Sequence, residues 1–435
     1  MANKILKIYG ISILLGILTG IVGSYFRVAI KLLDHGLLLV FGWATAHGVD
    51  KVLPSVFFST ILAFIAWWMV KKFAPEASGS GVQEIEGVLL HERGIFWRRL
   101  IPVKFIAGVA AISAKMVLGR EGPTIQMGGN LGEMLGEMMR VQRERRNTLI
   151  AAGAAAGLAT AFNAPLAGVL FVIEEMRNEF NFTFTNFKMV AIACVMATIT
   201  THLIIGTAPA IAMSVFEMPG SKALWLFFIL GIIIGFAGLF FNVFLMKTLY
   251  LKDKLSNRGQ ALYVSGAGAL VGALFCYYPE VVGGGYEIIH EALTMSPTMR
   301  VLLILTVIRF FTTMLCYSTS VPGGIFAPML ALGTLLGLAV YQGLAWILPD
   351  AEIYPGMFAV AGMGALFSAA VRAPVTGIVL VVEMTQNYSL ILPMMVSCLT
   401  STTIVQLAKN PPIYTQLLKR TLKMQDANEL RSSEC

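Results

Sequence analysis

The sequence predicts an all-α, polytopic membrane protein. Of its 435 residues, 57% are hydrophobic and only 13% are charged. Apolar stretches near the length needed to span a bilayer, about 20 residues, recur along the chain, and they are too many for the core of a soluble protein. A membrane β-barrel would instead show short segments of alternating polarity. The main stretches are residues 8–26, 53–70, 149–173, 189–213, 223–247, 323–347, 356–382 and 390–407.

The charged and reactive residues exclude several classes of protein. The first apolar stretch follows Lys4 and Lys7 and lacks a small-residue cleavage site, so we interpret it as a retained helix. Scattered cysteines and histidines give no metal-binding pattern, and there is no Walker or Rossmann loop. We therefore expect no cofactor, no metal and no enzymatic activity. The net charge of +8 lies largely in clusters such as "RVQRERR" (140–146) and "LLKRTLK" (417–423), which indicate membrane topology and not binding of nucleic acid.

The second half of the chain repeats the glycine and proline pattern of the first. Gly79 and Gly81 match Gly283 and Gly285 of "GGGYEIIHE". In the same order, "GREGPTIQMGGNLG" (119–132) parallels "GIFAPMLALGTLLG" (324–337). A third block aligns residues 152–174 with 361–383. The sequence therefore predicts two transmembrane repeats, residues 1–216 and 217–416, and a short tail over 417–435.

The loop charges predict that the two repeats are inverted. Basic "RVQRERR" in the first repeat corresponds to "LPDAEIYPG" (348–356) in the second, which has acids and no bases. Because positive loops stay in the cytoplasm, the two loops should face opposite sides. The same rule places both termini in the cytoplasm. Inverted repeats with helices broken by glycine or proline are typical of transporters whose site lies near the midplane.

Three glycine-containing loops could hold an anion within the membrane. They are "GSGVQ" (79–83), "GREGP" (119–123) and "GGIFAP" (323–328), and each leads into a new helical stretch. Each can present free N–H groups and the positive end of a helix dipole. Moving a bare anion into a dry interior costs on the order of 20 kcal/mol, and a hydrogen bond to a charge returns roughly 1.5 to 3 kcal/mol. Several donors must therefore converge on one site.

With these motifs the sequence resembles the CLC family of chloride channels and chloride/proton exchangers. "GSGVQEIEG", "GREGP", "GGIFAP" and the late "PPIYTQLLKRT" occur in that family's order, and the resemblance covers about residues 10 to 425. It implies a homodimer with one anion pathway per subunit, each built from two inverted halves. The resemblance is to the prokaryotic type, for which we expect no cytoplasmic regulatory domain and a location in the plasma (inner) membrane.

The resemblance also implies site residues. The family's central anion site corresponds to Ser80, Tyr414 and the backbone amides of Ile325 and Phe326. Retained Ser80 implies chloride, since a proline there accompanies nitrate preference in the family. One departure is Gln83, where the family usually has proline, and this leaves the rigidity of the loop open.

Two glutamates have separate predicted roles. Glu121, at a helix start within the membrane, can occupy an anion site as a tethered substitute for the ion, and protonation removes it; the family's gating glutamate matches it. Glu175 lies about ten residues beyond the turn at "NAP" (163–165), toward the inner side, and matches the family's internal proton-transfer glutamate. Its neighbour Glu174 has a repeat partner in Glu383, which favours a structural role at a helix end.

The sequence thus predicts a chloride/proton antiporter in a lipid bilayer, with a passive gated chloride channel as the alternative. Lys104 and Lys115 stand in a weakly apolar stretch, where snorkelling or pairing with an acid such as Glu84 or Glu86 would account for them. Arg120 is expected to fix its loop without contacting the ion.

Overall fold

The computed structural model describes residues 2–176, 183–295, 297–348 and 353–433. Within these ranges the chain forms seventeen α-helices joined by short loops and 3₁₀ turns. Residues 349–352 of the acidic segment that predicts inversion lie outside the described residues. The predicted all-α fold is confirmed.

The helices fall into two series with the same order. The first series comprises α1 (Ala2–Ala46), α2 (Val52–Phe73), α3 (Val82–Leu89), α4 (Trp97–Ser113), α5 (Glu121–Met138), α6 (Arg143–Phe162), α7 (Pro165–Glu175) and α8 (Phe184–Ile205). The second comprises α9 (Leu224–Asp253), α10 (Asn257–Tyr277), α11 (Tyr286–Met295), α12 (Met299–Ser318), α13 (Phe326–Ile347), α14 (Pro355–Val371), α15 (Pro374–Thr385) and α16 (Ile391–Leu407). Helix α17 (Ile413–Ser433) follows both series.

Equivalent helices make equivalent contacts. Helix α1 packs on α8, and α9 packs on α16; likewise α5 packs on α6, and α13 on α14. Across the series, α2 packs against α10 and α7 against α15. The repeat in the sequence is therefore a repeat of packing.

Matched glycines bring the paired backbones together. In the first series a Cβ on Gly128 would overlap the carbonyl of Gly153, and in the second a Cβ on Gly333 would overlap that of Gly362. In membranes, where lipid is as apolar as leucine, such close backbone contact drives helix association. These glycines thus explain the sequence pattern that revealed the repeat.

Eight helices of the described chain are long and apolar enough to cross a membrane. Two predicted apolar stretches, 149–173 and 356–382, are each broken in the middle. The turn predicted at 163–165 is confirmed: α6 ends at Phe162, Asn163 adopts a left-handed φ of 57°, and α7 begins at Pro165. Arg372 makes the same break before α15, with a φ of 66°.

The predicted first stretch, 8–26, was too short, because α1 continues to Ala46. The continuation carries charged residues, which ended the apolar pattern. One of them, Asp34, forms an ion pair with Lys115, with 2.8 Å between Oδ2 and Nζ. A helix can therefore run on through charges that a neighbouring element neutralises.

Candidate anion site

The first loop, residues 78–81, lies between a 3₁₀ turn and the start of α3. Gly79 and Gly81 have φ values of 61° and 89°, a left-handed conformation that favours glycine. The Lys104 ammonium, fully buried, donates to the carbonyl oxygens of Ala77 at 2.9 Å and Gly79 at 2.8 Å. The loop that carries Ser80 is therefore fixed from the side of α4.

Gln83 supplies a further hydrogen bond to this loop. Its side-chain Oε1 accepts from the backbone N–H of Gly81 at 3.2 Å, and the residue is buried. A proline at this position could not make this side-chain hydrogen bond.

The second and third loops join in a short antiparallel bridge. The N–H of Gly119 donates to the carbonyl of Gly324 at 2.8 Å, and the N–H of Gly324 donates back at 2.7 Å. This pairing crosses the two repeats. It sets the start of α5 beside the start of α13.

The first loop joins the same group. Gly79 donates to the carbonyl of Ser320 at 3.2 Å, and its own carbonyl accepts from Gly323 at 3.0 Å. A Cβ added to Gly122 would overlap Ser80, so α5 begins directly against the first loop. The three loops that the sequence analysis singled out are therefore in contact.

Tyr414 comes to these loops from α17. Its ring lies nearly parallel to that of Phe326, with 5.8 Å between centroids and 27° between planes. Both side chains are fully buried. Phe326 in turn touches Phe162, Phe171 and Phe367, so an aromatic cluster fixes the place of the Tyr414 ring.

Buried polar atoms without partners collect at this point. Among the described residues, the hydroxyl groups of Ser80 and Tyr414 and the Oε2 atom of Glu121 make no hydrogen bond to protein and are shielded from solvent. The hydroxyl of Tyr414 lies within reach of the Ser80 hydroxyl, and the Glu121 carboxylate lies near it as well, so the three groups are close together. Buried hydroxyl groups in folded proteins are normally hydrogen-bonded. Two neighbouring hydroxyl groups without an acceptor in the protein can therefore donate to a bound anion.

Helix starts surround the same place. Helix α5 begins at Glu121, and α13 begins at Phe326 directly after Ile325. Neither helix has a side-chain hydrogen bond from its N-cap residue. The first N–H groups of a helix have no partner within it and carry its positive dipole end. Two orphan hydroxyls and two uncapped helix starts are donors that suit an anion.

Glu121 makes one hydrogen bond that the sequence analysis missed. Its Oε1 accepts from the hydroxyl of Tyr286, 2.9 Å away, and the backbone N–H groups of Glu121 and Ala327 also face its carboxylate. Tyr286 belongs to "GGGYEIIHE", whose glycines were used only as markers of the repeat. The sequence around this tyrosine gives no signal that it reaches Glu121.

Glu174 and Glu175 have different surroundings although they are neighbours. Glu174 accepts from the backbone N–H groups of Val375 at 3.0 Å and Thr376 at 2.6 Å, at the start of α15. Its repeat partner Glu383 accepts from Leu166 at 3.2 Å and Ala167 at 2.8 Å, at the start of α7. The expected helix-end role of Glu174 is thus seen in the geometry.

Glu175 lines a polar cavity of about 580 Å³. Its other lining residues include Glu174, which caps α15 as well, together with Glu86, Arg372 and Thr415. Glu175 lies near Tyr414, as Glu121 does, but only Glu121 accepts from Tyr286. A carboxylate that lines a polar cavity therefore lies close to the candidate site.

Comparison with known proteins agrees with this geometry. The family model described as "Voltage gated chloride channel" matches residues 62–406. An H(+)/Cl(-) exchange transporter ClcA of Vibrio vulnificus is 44% identical over 414 residues, 94% of this chain and 89% of the relative. That of Vibrio cholerae is 46% identical over 423 residues, 95% of this chain and 90% of the relative.

The chain belongs to the CLC family. A crystal structure of a slow cyanobacterial Cl⁻/H⁺ antiporter superposes with a TM-score of 0.93 at 36% sequence identity and covers 97% of this chain and 99% of that one. The recognition and the CLC fold predicted from the sequence are confirmed.

Within this CLC chain, the flagged cations have structural contacts. Lys115 pairs with an acid, as expected, and that acid is Asp34. Lys104 instead donates to loop carbonyls. Glu84 pairs with Arg93 at 2.9 Å. Arg120 donates to the carbonyl of Ala161 at 3.3 Å, as expected for a residue that fixes its loop.

A second cavity, of about 420 Å³, adjoins the first loop of this CLC chain. Gly79, Lys252, Tyr317 and Arg420 line it. Sequence reasoning missed Tyr317, which lies near the end of α12 in a stretch without any motif of its own. This cavity gives the loop that carries Ser80 an open side.

Proposed function

We propose that this chain exchanges chloride for protons across a bacterial membrane. The observation that carries the proposal is the convergence of two buried, unpartnered hydroxyls, those of Ser80 and Tyr414, with the carboxylate of Glu121 between uncapped helix starts. The named function of its relatives, H(+)/Cl(-) exchange, supports the same conclusion.

The anion site in this proposal is formed by Ser80, Tyr414 and the backbone N–H groups of Ile325 and Phe326. The hydroxyls donate to chloride, and the start of α13 adds its free N–H groups and dipole. Because the dry interior disfavours a bare ion, chloride resides only where all these donors act together. The 420 Å³ cavity beside Gly79 provides its access from one side.

Glu121 acts as the gate. Its charged carboxylate is an anion that competes with chloride for the donors at the start of α5 and α13. Protonation removes this competition and at the same time loads a proton from the outer solution. One side chain thereby links the two ions, because it cannot fill the site as an anion and carry a proton at the same time.

Glu175 supplies the inner side of the proton path. It lines the 580 Å³ cavity and interacts with Tyr414, so a proton that reaches it stands one aromatic ring from the anion site. Glu174 is excluded from this role because both its carboxylate oxygens cap α15.

A passive gated chloride channel is the second candidate. It needs the anion site and the gate but has no use for a carboxylate at Glu175. The cavity at that residue and the exchange function named for relatives at 44% and 46% identity favour the exchanger.

The assembly and orientation belong to the same proposal. The chain is placed in the inner membrane as a homodimer with both termini in the cytoplasm, on the CLC resemblance and the distribution of basic loops. We divide it into repeats 1–216 and 217–416 and a tail over 417–435, a division supported by the matching helix orders. Light scattering of the purified protein in detergent tests the dimer.

Proton movement driven by chloride tests the exchange itself. The protein is reconstituted into liposomes with a chloride gradient and no proton gradient, and the external pH is recorded. An exchanger moves protons and builds up a pH difference from the chloride gradient alone. Chloride flux without any proton movement at several pH values would instead identify a channel.

A further inference from the structure

One hydroxyl group contacts the gate but belongs to none of the residues assigned above. Tyr286 donates from its hydroxyl to Oε1 of Glu121 at 2.9 Å. We propose that Tyr286 is a positioning residue that holds the Glu121 carboxylate in its buried position and so sets how strongly this carboxylate competes with chloride. The assignment rests on the proposed function of Glu121 as the gate.

The backbone in front of Tyr286 is fixed by a buried cation. Arg309, fully buried in α12, donates through Nη1 to the carbonyl of Val282 and through Nη2 to that of Gly283, both at 2.6 Å. Gly285 has a φ of 106°, and a Cβ there would meet Ala331 at 2.7 Å. The loop therefore delivers the tyrosine at the start of α11 in one defined direction.

The ring of Tyr286 is also held from the side of the gate. The guanidinium of Arg120, the residue before Glu121, lies 5.0 Å from the centroid of the ring. Arg27 of α1 adds a second positive charge near both Arg120 and the phenol. A phenol between two cations and a carboxylate points its O–H to the carboxylate, since that is the acceptor among them.

The repeat gives this contact its meaning. Gly283 and Gly285 match Gly79 and Gly81, so Tyr286 stands where the first repeat has Val82. The first loop presents the Ser80 hydroxyl to the anion site, and the second presents the Tyr286 hydroxyl to the gate. The two equivalent loops thus serve the two occupants that compete, chloride and the carboxylate.

The consequence concerns the balance between these occupants. A hydrogen bond to a charged group stabilises it more than a bond between neutral groups. In its absence the charged carboxylate loses part of its advantage over chloride. Removing the phenol oxygen should therefore strengthen chloride binding by about tenfold.

The test uses purified full-length protein and measures chloride binding by isothermal titration at one fixed alkaline pH. Four proteins are compared: wild type, Tyr286→Phe, Glu121→Gln, and the double variant. Tyr263→Phe serves as the matched control, because Tyr263 also has a partly buried phenol, with its hydroxyl 2.7 Å from Ser318, but contacts neither Glu121 nor its loop. Tyr286→Leu, which also lacks the hydroxyl, gives an independent second variant.

We expect Tyr286→Phe and Tyr286→Leu each to lower the Kd for chloride about tenfold. Tyr263→Phe should leave the Kd unchanged. Tyr286→Phe should have no effect on the Kd in the Glu121→Gln background. An unchanged or weaker affinity would overturn the assignment, as would an equal shift with and without Glu121. A wild type that binds no chloride would instead overturn the proposed function.

Discussion

Lys104 and Arg309 stand 205 positions apart and make the same contact in the two repeats. Lys104 donates to the carbonyls of Ala77 and Gly79, and Arg309 to those of Glu280, Val282 and Gly283. Each is a fully buried cation one helix beyond the glycine loop that it holds. A cation at this depth is expensive, so its retention in both halves indicates that loop position matters for function.

Replacing Lys104 by Met should destabilise the protein and weaken chloride binding together. The substitution leaves the buried carbonyl of Ala77 without a donor and removes one of the two donors to the carbonyl of Gly79, which costs about 1 to 3 kcal/mol in the free energy of unfolding. The Ser80 loop also loses its support. Unfolding in detergent and chloride titration measure the two effects; full affinity in a destabilised variant would show that the lysine serves stability alone.

Glu174→Gln and Glu175→Gln form a matched pair of adjacent substitutions. Glu174→Gln removes the charge that caps α15 and should lower stability by about 1 kcal/mol while exchange continues. Glu175→Gln should stop proton flux and leave chloride flux. Both fluxes are followed in liposomes, and an equal loss of chloride and proton flux in Glu175→Gln would remove its assigned role.

Ser80→Ala and Tyr414→Phe should weaken chloride binding without lowering stability. Each removes a buried hydroxyl that has no protein partner, so the chloride-free protein loses no hydrogen bond. Each costs bound chloride about 1.5 to 3 kcal/mol, about tenfold or more in Kd. A drop in the melting temperature of the chloride-free protein would mean that these hydroxyls have a structural role instead.

Gly122→Ala should impair transport by overpacking the site. A Cβ at Gly122 would overlap Ser80, which costs about 1 to 3 kcal/mol and displaces the loop or the start of α5. Gly36→Ala is the matched control, because its added Cβ meets nothing within 4 Å in the middle of α1. Chloride flux per protein measures both, and equal rates would show that the contact tolerates expansion.

The sequence predicted the loops well because glycine and proline act locally. Local signals predicted the break at Asn163–Pro165 and the start of α5 at Glu121. The repeat predicted that Glu174 and Glu383 are equivalent. The contact of the three loops also agrees with the prediction that their donors must converge.

Contacts between distant segments could not be predicted in this way. Tyr286 reaches Glu121 across 165 residues, and nothing around "GGGY" marks a tyrosine as a hydrogen-bond donor to the gate. The same limit applied to Lys104, for which a nearby acid was the expected partner although backbone carbonyls are the actual one. The length of α1 was underestimated because Lys115, in the turn after α4, neutralises Asp34.

In the proposed exchange, chloride and the Glu121 carboxylate compete for one set of hydrogen-bond donors. Crystals soaked in bromide locate the anion by anomalous scattering in the wild type and in Glu121→Gln. We expect a bromide peak beside Ser80, Tyr414 and the start of α13 in both proteins. In Glu121→Gln we expect an additional peak at the position that the Glu121 carboxylate occupies in the wild type. The absence of any peak among these donors, or an identical pattern in the two proteins, would contradict it.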